Sequence, residues 1–143
     1  MSLDEFVDRV EKRLCAFGWR LMPTAARDWW SDETERLRDE LNKHRACAEK
    51  LRAAVRRIRD RLAENEVCEA VLASQVETYI HTGEQARAYE LALELDKLHG
   101  QRAEDRARLP REEKAFEVQR KRVAELELRL TSRAYKMRSR ISV

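Results

Sequence analysis

Apolar and small residues recur at alternating spacings of four and three along most of this chain, and that alternation strongly restricts what it can fold into. The first ladder runs through Trp30, Thr34, Leu37, Leu41, His44, Ala48, Leu51, Val55, Ile58 and Leu62. A second passes through Leu91, Leu95 and Leu98, then Leu109, Phe116, Val123, Leu126, Leu130 and Met137. A repeat of this kind keeps one narrow stripe of a helix turned toward a partner helix. Two ladders of nearly equal length meet at His81-Thr82-Gly83-Glu84. The expectation is an all-α fold: a long antiparallel coiled-coil hairpin preceded by a short amphipathic helix.

The composition fits a narrow seam. Charged residues make up 40% of the 143, and there are only 3 Gly and 2 Pro to interrupt helices. A coiled-coil stripe needs few hydrophobes, so the remaining surface stays charged.

Residues 1–22 form the first predicted unit, an amphipathic helix. Ser2 with Glu5 three residues later makes a capping-box pattern. Leu3, Phe6, Val7, Val10, Leu14 and Phe17 fall on its apolar face, with Trp19 beside Gly18, and Pro23 closes the segment. These residues are candidates for membrane or partner contact, as is Trp29, turned away from the stripe.

Residues 24–143 form the predicted hairpin, with arms over 25–82 and 85–137 and a turn at 81–84. A first arm of this length would rise about 87 Å. Past Leu62 the apolar residues Cys68, Leu72, Val76 and Tyr79 or Ile80 leave the strict ladder, which reads as a stutter. In the second arm the ladder falls on polar Arg102 and Asp105, and Pro110 predicts a kink or break, with the helix resuming at Arg111.

Charge is locally asymmetric although the net formal charge is only +3. Lys50, Arg52, Arg56, Arg57, Arg59 and Arg61 crowd one stretch of the first arm, making it a candidate basic surface for an anionic membrane or an acidic partner. No aromatic residue is interleaved with them, so stacking on nucleic-acid bases is unsupported. Cys15, Cys47 and Cys68 form no pair at metal-binding or redox spacing. No phosphate-binding glycine loop, zinc-protease motif or nucleophile elbow is present. The expectation is a non-enzymatic protein without cofactor or metal, cytoplasmic or peripheral at the inner face of the membrane.

The stretch from Val76 to Leu91, VETYIHTGEQARAYEL, resembles the hairpin tip of the phage-shock protein A family, with Gly83, Ala86, Arg87 and Leu91 carrying the likeness. The ending Val123-Ala124-Glu125-Leu126-Glu127-Leu128-Arg129-Leu130 is similar to the close of that family's second arm. The likeness takes in the short first helix, the proline near residue 23 and both arms. It implies the fold shared by the vesicle-inducing protein of plastids and ESCRT-III, self-assembly into a homo-oligomer or polymer, and membrane remodelling or maintenance under stress. It also implies, as a second route, regulation by binding a protein partner. One departure is the load of Asp4, Glu5, Asp8 and Glu11 on the first helix, where the family is neutral or basic. The family also continues into further helices past the second arm, whereas this sequence reaches Val143.

Overall fold

The computed structural model describes residues 2–18 and 24–141. Trp19 and the side chains of Phe17 and Trp29 lie outside the described residues. Helix α1 spans Leu3–Arg13 and passes into a π-helical turn over Leu14–Gly18. Helix α2 spans Thr24–His81 and helix α3 spans Gln85–Ile141. The two long helices pack against each other as a helical hairpin. Contacts group the chain into two compact units, residues 1–48 with 117–143 and residues 49–116.

The first unit is a three-helix packing. Val7, Val10 and Leu14 of the N-terminal segment meet Trp30, Leu37 and Leu41 of α2 and Leu126, Leu130, Ala134 and Met137 of α3. Leu14, Leu126, Leu130, Ala134 and Met137 are wholly buried, and Leu3, Phe6 and Val123 close the edge. Helix α1 starts where the sequence says it should: Ser2 Oγ accepts from the Glu5 amide and the Glu5 carboxylate accepts from the Ser2 amide, both at 3.2 Å. That reciprocal pair satisfies two otherwise unpartnered amides.

The second unit, residues 49–116, is a two-helix packing closed by the turn. Val55 and Ile58 are buried, with Leu62, Leu72, Val76, Leu91, Leu95 and Leu98 partly so. The turn is a Schellman motif. The Glu84 amide donates to Tyr79 O at 2.9 Å and the Gly83 amide to Ile80 O at 3.2 Å. Gly83 has φ +82°, a conformation in which a side chain meets its own backbone.

Two expectations need correction. The ladder does not slip after Leu62. Carried on in strict phase it passes through Asn65, Glu69, Leu72, Val76 and Tyr79, and Glu69 is only 8% exposed while Cys68 is exposed. The apolar residues drift off the stripe, but the stripe itself continues. A buried carboxylate is tolerated there because Arg102 of α3 stands opposite it. The second correction concerns the break expected at Pro110, which does not occur: the proline lies inside α3. Proline removes one backbone hydrogen bond, and a 57-residue helix anchored by packing on both sides of the gap absorbs that loss.

The two described glycines of the second unit behave oppositely on substitution. Gly83→Ala is expected to destabilise by about 1–2 kcal/mol through its positive φ. Gly100 sits in ordinary helix, and a Cβ placed on it meets nothing within 4 Å. Gly100→Ala is therefore expected to stabilise by up to about 1 kcal/mol. Urea denaturation followed by circular dichroism checks both signs.

Candidate interaction surfaces

The apolar face of the N-terminal helix is occupied. Val7 and Leu14 are wholly buried and Val10 is 4% exposed, all within the core of the first unit. Phe6 is partly covered, its ring centroid 4.9 Å from that of Tyr135. Three of the four acids on the polar face have partners on α2, while Glu5 belongs to the capping box. Arg38 donates to Asp8 at 2.9 Å and to Glu11 at 3.1 Å, and Arg45 donates to Asp4 at 3.2 Å. Arg45 also reaches Glu127 of α3 at 3.0 Å. In this docked arrangement the candidate contact residues Leu3, Phe6, Val7, Val10 and Leu14 serve the core, and meeting a membrane through them requires the helix to leave it.

The basic stretch is divided by the hairpin. Arg59 pairs with Glu113 at 2.8 Å and Arg61 with Asp105 at 2.9 Å, both across to α3. Lys50, Arg52, Arg56 and Arg57 remain exposed, and no ion pair joins them to the described residues. At the tip, the Arg87 guanidinium lies 5.5 Å from the centre of the Tyr79 ring, while Ala88 is buried and Leu91 partly buried. Arg87 thus bridges the end of α2 and the start of α3 beside Gly83. Ala86 is exposed.

A polar layer crosses the middle of the second unit's seam. Glu69 and Asp105 are 8% and 7% exposed. Arg102 donates to Glu69 Oε2, and Arg61 holds Asp105 through two hydrogen bonds at 2.9 and 3.2 Å. The other Glu69 oxygen accepts no hydrogen bond, with His99 Nε2 3.8 Å away. In the first unit the seam has a milder polar step, where His44 Nδ1 lies 2.6 Å from Gln119 Oε1. Such layers fix which residues face each other, because a shifted register would leave a carboxylate buried without its arginine.

Three side chains have shifted acidities. Burial pushes the Arg133 guanidinium below its ordinary range, against the nearby Glu33. On the exposed surface, the hydrogen bond between Arg120 and Glu117 lowers the carboxyl and raises the guanidinium.

Beyond the seam, Val67, Val71, Ile80, Tyr89 and Leu93 of the second unit stay between 47% and 67% exposed. Val67, Val71, Tyr89 and Leu93 fall off the heptad stripe, and of the alternatives Tyr79 and Ile80 it is Tyr79 that turns inward. Glu69 is a buried acid that the apolar spacing does not place, because the apolar residue beside it, Cys68, draws the ladder out of phase.

Among the described residues no three His, Cys, Asp or Glu side chains are grouped to hold a metal ion. No described helix is long and apolar enough to cross a membrane. An open groove on the first unit is bordered by Glu11, Cys15, Arg38 and Asp39. No family model, curated protein or solved structure matches this chain. The geometry presents a docked amphipathic helix, an exposed basic stretch, and large apolar residues exposed outside the seam.

Proposed function

We propose that this chain is a non-enzymatic, self-assembling peripheral membrane scaffold similar to phage-shock protein A, supporting membrane integrity or remodelling. The observation that carries this reading is the set of large apolar residues left exposed on the second unit. Val67, Val71, Tyr89 and Leu93 contribute nothing to the chain's own core. An exposed apolar surface of this kind fits contact between protein molecules. Exposed Lys50, Arg52, Arg56 and Arg57, which no ion pair joins to the described residues, supply charge for an anionic lipid surface, each basic group near such a surface contributing about 1 kcal/mol. Helix α1 is the insertion element in a released state, with Leu3, Phe6, Val7, Val10 and Leu14 entering the headgroup boundary.

A second reading is a soluble coiled-coil adaptor that binds a protein partner. The burial of Val7, Val10 and Leu14 favours it, since each would give up about 1.5–3 kcal/mol on leaving the core. Vesicle co-sedimentation separates the two. The scaffold reading predicts pelleting with anionic but not neutral vesicles, and rods, rings or tubes in negative stain. With Trp19 and Trp29 replaced by Phe, emission from Trp30, 1% exposed in the core, should shift to the red as α1 departs. Discrete small particles, no pelleting and unchanged emission would leave the adaptor reading standing and the scaffold reading without support.

A further inference from the structure

Residues that stand one place after a seam position share one flank of the second unit. Arg59 follows Ile58 and Glu113 follows Glu112, and their 2.8 Å ion pair joins the two helices along that flank. Toward the turn the flank becomes apolar. Ile80 follows Tyr79 on α2 and Tyr89 follows Ala88 on α3, and they are 59% and 67% exposed. Ala73, after Leu72, and Ala92, after Leu91, extend the same surface and are also exposed.

The charges on this part of the flank have one sign. Glu66, Glu77 and Asp96 follow the seam residues Asn65, Val76 and Leu95; all three are exposed, and no ion pair joins them to the described residues. No Lys or Arg occupies such a position between residues 63 and 103. Arg87 and Lys97 come one place before Ala88 and Leu98, which puts them on the opposite flank. The seam also turns an unmet acceptor toward the apolar side. Glu69 is only 8% exposed, and its buried Oε1 accepts no hydrogen bond. His99, which follows Leu98 and so stands on the apolar flank, holds its Nε2 3.8 Å from that oxygen. A buried acceptor without a donor is costly, and a cation arriving from this side would lower that cost.

The first unit shows what covers a flank of this kind. There the amphipathic α1 lays its apolar face on both long helices, while Arg38 holds Asp8 and Glu11 and Arg45 holds Asp4. Arg38 and Arg45 follow the seam residues Leu37 and His44, so they occupy the same heptad phase of α2 as Ala73 and Ile80. In the second unit no described helix covers that phase, and its charge is reversed. The complementary element is an amphipathic helix whose apolar face is bordered by Lys or Arg.

We propose that the turn end of the second unit is a docking site for a basic amphipathic helix of a partner protein. The apolar face of that helix covers Ile80, Ala73, Tyr89 and Ala92. Its cations meet Glu77 and Asp96, and one reaches past His99 toward the unbonded oxygen of Glu69. The site rests on the reading that exposed apolar residues of the second unit meet another protein, and it is independent of any membrane role.

Titration of the full chain into a labelled synthetic helix of leucine and lysine, about fourteen residues long with one apolar face, tests it by fluorescence anisotropy. The expected result is saturable binding, with the same helix carrying glutamate for lysine bound about tenfold more weakly. Glu77→Lys with Asp96→Lys should weaken the lysine helix about tenfold and admit the glutamate helix. Ile80→Ser with Tyr89→Ser, both at exposed positions, should leave the thermal transition in place and weaken binding by about fivefold or more. Glu90→Lys with Glu94→Lys makes the same charge change on the opposite flank and should leave binding within about twofold. An equal loss from that control pair overturns the site, since net charge rather than this flank would then be the attraction. So does the absence of binding at about 200 µM chain. Vesicle binding that needs Ile80 and Tyr89, with helix binding indifferent to them, assigns the patch to lipid and overturns the docking. Helix binding as expected by a chain that never pellets with vesicles keeps the docking site and removes the membrane scaffold.

Discussion

Replacing Trp30 by alanine is expected to lower the unfolding free energy by about 3–5 kcal/mol, the range for removing a buried aromatic. Trp30 is 1% exposed and belongs to the cluster where α1, α2 and α3 meet. The loss has two parts, the transfer energy of the ring and the cavity left among Val10, Leu14 and its other neighbours. Because Trp30 belongs to the first unit and residues 49–116 pack on their own, the loss should be uneven. Hydrogen exchange should accelerate in α1 and over residues 24–48 and 117–141, while amides near Ile58 and Leu95 keep most of their protection. Uniform loss of protection along both long helices would show that the two units unfold as one.

The second large effect lies in the polar layer, and its sign depends on how the layer is altered. Arg102→Met alone leaves Glu69 buried without its counter-charge, which is expected to destabilise by on the order of 3 kcal/mol. The double change Glu69→Leu, Arg102→Leu removes both charges and puts apolar side chains at the ladder position next to Leu72. It is expected to be neutral or stabilising by about 1–4 kcal/mol, as replacements of buried ion pairs by packed hydrophobes often are. Chemical denaturation of the two variants and the parent, read as a double-mutant cycle, measures the difference. A double variant as unstable as the single one would mean that the layer does more than pair charge. Asp105, held by Arg61, remains in the double variant and keeps one polar constraint on register.

These two cases show what was legible in the chain. Trp30 was predicted at its place because a large aromatic on a regular stripe has one favourable position, inside. Glu69 was not, because a carboxylate on the same stripe reads as a break in the pattern until its partner is known. Arg102 and Asp105 were recognised as polar ladder positions, yet the residues they face were fixed only when α3 folded back. The capping box at Ser2 and Glu5, and the turn at residues 81–84, were also legible, since both are settled by residues within a few positions of each other. Pro110 does not break α3, because packing along the helix outweighs one missing hydrogen bond.

For function the division falls differently. The amphipathic character of residues 3–14 was plain, but nothing local states whether that face meets lipid or protein. Val7, Val10 and Leu14 go into the core because Leu126, Leu130 and Met137, more than a hundred residues away, return to cover them. Asp4, Asp8 and Glu11, out of place on a membrane helix, pair with Arg38 and Arg45 of α2.

The sequence by itself determined the two ladders, the turn between them and the helix start at Ser2, because periodicity, a positive-φ glycine and capping act over a single turn of chain. Only the tertiary structure decided which residues stand outside both ladders, which acid is buried and where the first helix rests. Those depend on distant segments meeting, where the free energy of a side chain is set by what lies opposite it rather than by its neighbours in sequence.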